Sequence, residues 1–155
     1  STPWSVARQM TEIVRTCTPG GGRRRYTVRW VSDHGPAWGG EVASIREVLA
    51  GGLPVILVTG GPLVLDDDVE GEPAARTMLR TSLARTPALP RHYVLALPWR
   101  TIGQGDPGEG NAHIYEPSSG SVRPLDLTAS RDPHRPGPRE LGNWPRVLAV
   151  IAPEN

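Results

Sequence analysis

The chain of 155 residues contains no lysine and no phenylalanine, so all seventeen of its basic residues are arginine. Lysine is normally among the commoner residues. One explanation is a GC-rich genome, because lysine and phenylalanine codons are AT-rich and the chain is heavy in Gly, Pro, Ala and Arg. The other is a toxin or effector that avoids ubiquitin acceptor sites in a eukaryotic host. Both explanations are open at the level of sequence.

Three further shortages limit the class of protein. The single cysteine, Cys17, excludes an internal disulfide framework and fits a reducing compartment. No apolar run approaches the roughly 20 residues that span a bilayer, and the start lacks the basic and apolar regions of a signal peptide. We therefore expect a soluble chain with no membrane span, either cytoplasmic or secreted or translocated as an effector. A net charge of +1 gives no strong field toward nucleic acid, so no nucleic-acid partner is expected.

Apolar spacing predicts two helices and a buried strand. Val6, Met10 and Val14 share one face of a helix from Pro3 to about Thr16, with Thr2 as its cap. A second helix is predicted from about Glu41 to Ala50. The unbroken apolar run at 53–59 predicts a strand buried on both faces. Further strands are predicted at 26–31, 92–97, 112–115, 121–127 and 144–152.

The order of these elements predicts one domain over residues 1–155. Helices first and antiparallel strands later indicate an α+β domain, with the N-terminal helix packed on an antiparallel sheet. An insert at about 62–90 and a Pro/Arg-rich loop at about 129–143 interrupt the pattern. The acidic residues of the insert precede an apolar-faced helix, where negative charge is favourable, and their spacing does not fit a calcium loop. We expect no metal and no cofactor.

Two polar residues lie where neighbouring strands begin and end. His92 opens the run His-Tyr-Val-Leu-Ala-Leu, and Glu116 ends a later strand just before Pro117. A thiol hydrolase holds its general base and the residue that orients that base in this way. Its nucleophile would lie at the N-terminus of the first helix, where the helix dipole lowers the pKa of a thiol. The sequence has Ser1 near that position and no cysteine there.

Four motifs occur in the order typical of one superfamily. They are Ser-Thr-Pro-Trp-Ser at 1–5, Gly-Leu-Pro-Val at 52–55, His-Tyr-Val at 92–94 and Glu-Pro at 116–117. Together they resemble the motifs Cys-Gly-Pro-x-Ser/Ala, Gly-x-Pro-Val, His-Tyr-Val and Asp-Pro of the papain-like cysteine peptidases. The resemblance is to the bacterial branch that includes the double-glycine leader peptidases of ABC exporters and related toxin and effector thiol hydrolases. It covers the chain from residue 1 to about 127.

The resemblance implies a papain-like fold and a thiol hydrolase that acts on a peptide or protein substrate. Such an enzyme would be a peptidase or a glutamine/asparagine deamidase, with position 1 as nucleophile, His92 as base and Glu116 as orienter. Ser1 stands where the family has cysteine, so the chain as given is expected to be inactive. It is then either a substituted enzyme or a degenerate relative. Glu116 also replaces the commoner Asp or Asn.

Several alternatives accompany this assignment. His113 could replace His92 as the base, and Cys17 could be a nucleophile or a small buried residue. The tryptophans could line a substrate groove or form core, the candidates being Trp4, Trp38, Trp99 and Trp144. At the level of function, the alternatives are a catalytically dead papain-like domain that binds a peptide or leader sequence, and a plain α+β interaction domain. The sequence does not indicate an oligomeric state.

Overall fold

The computed structural model describes residues 1–17, 24–61, 90, 92–128 and 146–154. Within these ranges the chain forms two helices and six strands, in the chain order α1 (Pro3–Cys17), β1 (Tyr26–Arg29), α2 (Trp38–Ala50), β2 (Val55–Thr59), β3 (His92–Leu97), β4 (Asn111–Glu116), β5 (Ser121–Asp126) and β6 (Val147–Pro153). The strands form one antiparallel sheet in the order β1-β6-β2-β3-β4-β5. The predicted α+β class, with an N-terminal helix on an antiparallel sheet, is confirmed.

Helix α1 begins as its sequence predicts. The backbone N–H of Ser5 donates to the hydroxyl of Thr2 at 3.2 Å, which satisfies one of the N–H groups that a helix start leaves without a partner. Pro3 opens the helix, where its missing N–H costs nothing. The buried face includes Met10 and Val14, and it packs on one face of the sheet.

The two helices lie on opposite faces of the sheet. In β6, Ala149 and Ile151 pack with the α1 side, whereas Val150 and Ala152 pack with the α2 side. This alternation follows from strand geometry, since successive side chains point to opposite faces. We call the two sides of the sheet the α1 face and the α2 face.

Strand β2 lies at the centre of the sheet between β6 and β3, and all five of its residues are buried. This confirms the predicted buried strand. Helix α2 begins at Trp38, three residues before the predicted start near Glu41. Trp38 is only 6% exposed and its indole N–H donates to the carbonyl of Leu127 at 2.7 Å. That anchor extends the helix through Gly39 and Gly40, which the sequence pattern had assigned to the preceding loop.

Other predictions fall outside the described ranges. The insert at 62–90 is described only at Pro90, and the whole Pro/Arg-rich loop at 129–143, together with Trp144, also lies outside them. The last strand begins at Val147 rather than at 144 and extends to Pro153. In the described ranges no helix is both long enough and apolar enough to cross a membrane.

Candidate functional site at His92 and Glu116

The first residue of β3 and the last residue of β4 lie at the same end of the sheet. The two strands are antiparallel neighbours, with Ala96 opposite Ile114. Ala96 and Ile114 pack on the α2 face. His92 and Glu116 occupy the same alternating positions, so their side chains also point to the α2 face.

His92 and Glu116 form a short hydrogen bond between side chains. The Nε2 atom of His92 lies 2.6 Å from Oε1 of Glu116. The Glu116 side chain is 2% exposed and that of His92 is 21% exposed. An ionised carboxylate can only accept, so Nε2 carries the proton, and in the neutral ring Nδ1 is then the nitrogen that can accept a proton. A buried acid that holds the proton on one ring nitrogen leaves the other nitrogen free to accept a proton. A partly exposed imidazole of this kind is suited to general-base chemistry.

The turn after β4 holds the carboxylate in place. The backbone N–H of Ser118 donates to the same Oε1 of Glu116 at 2.9 Å. The N–H groups of Ser119 and Gly120 both donate to the carbonyl of Glu116, at 3.3 and 2.8 Å. Gly120 has a φ of +70°, a conformation that strains residues with a Cβ. The sequence indicated a turn at this place but did not indicate the donor that Ser118 supplies.

Thr59 lies opposite His92 in the β2 and β3 pair, and it belongs to none of the sequence motifs that predict a site. Its side chain is buried, and its hydroxyl lies 2.7 Å from the carbonyl of Gly61. The carbonyl of His92 is farther away, at 3.4 Å. A hydroxyl has one hydrogen to donate, and the shorter contact uses it. Thr59 therefore stabilises the end of β2 and does not present a nucleophile.

Ser1 does not join His92 and Glu116. The hydroxyl of Tyr93 donates to the carbonyl of Ser1 at 2.8 Å, and burial raises the pKa of Tyr93. Tyr93 packs on the α1 face, whereas the side chain of its neighbour His92 lies on the α2 face. In the described chain no hydrogen bond connects Ser1 with His92. Of the three residues expected to converge, the structure brings together His92 and Glu116 and places Ser1 across the sheet from them.

Two of the tryptophans expected to bind substrate belong to the core. Trp38, the first residue of α2, is 6% exposed, Trp99 is 7% exposed, and both belong to the core cluster on the α2 face. The guanidinium of Arg46 lies 5.2 Å from the centre of the Trp99 ring and shields it further. The low exposure of both rings favours the core alternative, and their substrate-binding role stays a prediction. Trp4 is 59% exposed, so its predicted role stays a prediction.

The alternative residues His113 and Cys17 lie elsewhere. His113 is 8% exposed, and its Nε2 contacts the carbonyl of Gly105 at 3.2 Å. It is three residues before Glu116 on β4 and therefore points to the opposite face. Cys17 is exposed at the C-terminal end of α1, about 21 Å along the helix from Pro3. Neither residue extends the pair formed by His92 and Glu116.

Among the described residues, no group of three or more His, Cys, Asp and Glu side chains is placed to hold a metal ion. No family model, no curated protein and no solved structure matches the chain. The functional inference rests on the geometry of His92, Glu116 and the turn that follows them.

Proposed function

We propose that the chain is a hydrolase domain of the papain-like type, in which His92 is the general base and Glu116 orients it. Its substrates would be peptide bonds or side-chain amides, cleaved through an acyl intermediate. The observation that carries the proposal is the 2.6 Å contact between a partly exposed imidazole and a buried carboxylate.

The roles follow from the two ring nitrogens. Nδ1 of His92 accepts the proton of an attacking thiol or hydroxyl, and the imidazolium that forms is stabilised by the carboxylate of Glu116 at Nε2. The same proton is then available to the leaving amine when the amide bond breaks. For position 1 to supply the nucleophile, the residues before α1 have to pass over the end of β3, because Ser1 lies on the α1 side.

A reporter ester tests the base without any assumption about the nucleophile. We expect the chain to accelerate hydrolysis of p-nitrophenyl acetate. An accessible neutral imidazole either attacks this ester directly or deprotonates the water molecule that attacks it. His92→Ala should remove most of that rate, and Glu116→Gln should lower it. His34→Ala is the matched control, because His34 is also exposed but contacts Asp33 instead of Glu116. Equal losses in His92→Ala and His34→Ala would show that His92 has no special reactivity.

The role of position 1 needs a separate variant. If the residues before α1 pass over the end of β3, Ser1→Cys should give a thiol whose iodoacetamide labelling persists below the ordinary thiol pKa of about 8.5, and His92→Ala should slow that labelling near neutral pH. The chain with Ser1 should be inactive on peptides. If the introduced thiol titrates like a free cysteine whether or not His92 is present, position 1 is not the nucleophile.

The placement of Ser1 favours a second candidate, a papain-like domain that binds a peptide without cleaving it. In the described residues no serine, threonine or cysteine side chain forms a hydrogen bond with the His92 ring. Mass spectrometry of peptide pools incubated with the Ser1→Cys chain separates the candidates. Cleaved or deamidated peptides support the hydrolase. Peptides that shift the NMR signals of His92 and are recovered unchanged support the binding domain.

A further inference from the structure

Strand β1 forms one edge of the sheet, and no strand in the described part of the chain pairs with its outer side. Its partner on the inner side is β6. The carbonyl of Arg25 accepts from Glu154 on that inner side, whereas the N–H of Tyr26 points outward to the hydroxyl of Thr11, at 3.0 Å. Because backbone groups alternate along a strand, Val28 also directs its N–H and C=O outward. No strand of the described ranges pairs with Val28 on that side.

An exposed aromatic pair lies at one end of this edge. The ring centres of Trp4 and Trp30 are 5.8 Å apart, with an angle of 55° between the ring planes. The two residues are 59% and 54% exposed, although they come from different elements. Large exposed aromatic side chains that cluster through the fold are typical of protein interaction sites, where tryptophan contributes strongly to affinity.

Arginines border the same edge. Helix α1 runs antiparallel to β1, since Thr11 contacts Tyr26 and Trp4 contacts Trp30. Helical spacing places Arg8 and Arg15 on the stripe that also carries Trp4 and Thr11.

Arg24 and Arg25 are exposed just before β1 begins. The exposed acids in this part of the described surface are Glu12, which pairs with Arg15, and Glu154. The four arginines therefore outnumber the acids, and the edge is basic.

We propose that the outer edge of β1 binds an extended acidic segment of a partner protein by strand addition. The backbone of the segment pairs with Val28, a carboxylate of the segment contacts Arg8, and an apolar side chain packs on Trp4 and Trp30. Main-chain pairing supplies affinity in this mode, and the side-chain contacts supply selectivity. Strands β6 and β2 separate β1 from His92 on β3, so the inference is independent of the proposed hydrolase.

Short synthetic peptides test the surface directly. An alternating Glu–Val peptide should bind and protect Trp4 and Trp30 from acrylamide quenching, and the corresponding Lys–Val peptide should not. The double variant Trp4→Ala/Trp30→Ala and the variant Arg8→Glu should each weaken binding roughly tenfold or more, measured by calorimetry. Arg100→Glu is the matched control for charge, because Arg100 is exposed in the turn after β3, away from β1, and its replacement should leave binding unchanged.

Backbone pairing has its own control. Alternate N-methylation removes the amide hydrogens along one edge of the peptide, and one of its two possible patterns should abolish binding. All variants are exposed-surface changes, and equal unfolding temperatures would show that the fold is retained. The proposal is overturned if the wild-type chain does not bind the Glu–Val peptide. That result is expected if other residues of the chain already occupy the outer edge of β1. It is also overturned if Arg100→Glu and Arg8→Glu have the same effect.

Discussion

Alkaline pH should destabilise this chain through one buried phenol, Tyr26. The residue is 2% exposed, and its hydroxyl donates to the carbonyl of Pro54 at 2.8 Å. Burial raises the pKa of Tyr26 from 10.0 to about 12, although the charge of Arg24 opposes part of that rise. In the unfolded chain the phenol would lose its proton near its ordinary pKa of about 10.

The sign of the effect follows from proton binding. Between pH of about 10 and about 12 the folded state keeps the phenolic proton and the unfolded state has released it, so the free energy of unfolding falls as pH rises. The contribution of Tyr26 is complete below the unfolded pKa and is lost by the folded pKa. A difference of about two pKa units corresponds to about 2 to 3 kcal/mol. Burial also raises the pKa of Tyr93, which acts in the same direction.

The composition makes this measurement unusually direct. Lysine side chains normally titrate in the same pH range, and this chain has none. Urea denaturation at a series of alkaline pH values, followed by circular dichroism, gives the free energy of unfolding, and the ultraviolet absorbance of tyrosinate follows the titration itself. Tyr26→Phe should lower the free energy of unfolding by about 1 kcal/mol at neutral pH, because the hydrogen bond to Pro54 is lost. Most of the decline in the free energy of unfolding at alkaline pH should disappear in this variant. Tyr115→Phe, at a half-buried tyrosine, is the control. Parallel curves for the wild type and Tyr26→Phe across this range would refute the reasoning.

Four other changes have expected outcomes. Thr2→Ala should lower the free energy of unfolding by about 1 kcal/mol in urea denaturation, because the cap of α1 is lost. Ile45→Ala should cost about 2 to 5 kcal/mol in the same assay, since Ile45 is fully buried in the core. Glu116→Ala should lower the free energy of unfolding by about 1 to 3 kcal/mol, and NMR should show the His92 ring changing from one tautomer to a mixture. Glu116→Gln should retain more of the stability and more of the single tautomer. The pKa of Asp106 is lowered, chiefly by the N–H of Gly108, so the hydrogen-exchange protection factors in its loop, corrected for the intrinsic pH dependence of exchange, should fall as pH falls through that lowered pKa and should stay constant at higher pH.

The sequence predicted the neighbourhood of His92 and Glu116 because that contact depends on local order. Two strands joined by a loop pair antiparallel, so the start of one meets the end of the other. The period of the apolar residues similarly predicted α1 and the buried strand β2.

The face of the sheet on which His92 lies could not be predicted in this way. Strand β3 continues with Val94, Leu95 and Ala96, which are apolar on both faces. Alternation therefore does not indicate which face receives α1, and the position of Ser1 relative to His92 depends on that choice. Trp38 and Trp99 were equally ambiguous, because a tryptophan beside polar loops has the same sequence pattern whether its ring is inside or outside.

The interior position of β6, between β1 and β2, has a consequence for synthesis on the ribosome. β6 follows the other described strands in the chain, yet it lies between β1 and β2 and pairs with both. During translation α1 and β1 can contact each other early. β1 cannot pair with the sheet until its partner strand, residues 147–153, leaves the exit tunnel. The strands on the other side, from β2 to β5, can pair as successive hairpins before then. Nascent chains that stall before β6 should therefore expose the edge of β2 and the apolar side of α1, which is the kind of surface that chaperones bind. The segments made first are joined to the sheet last.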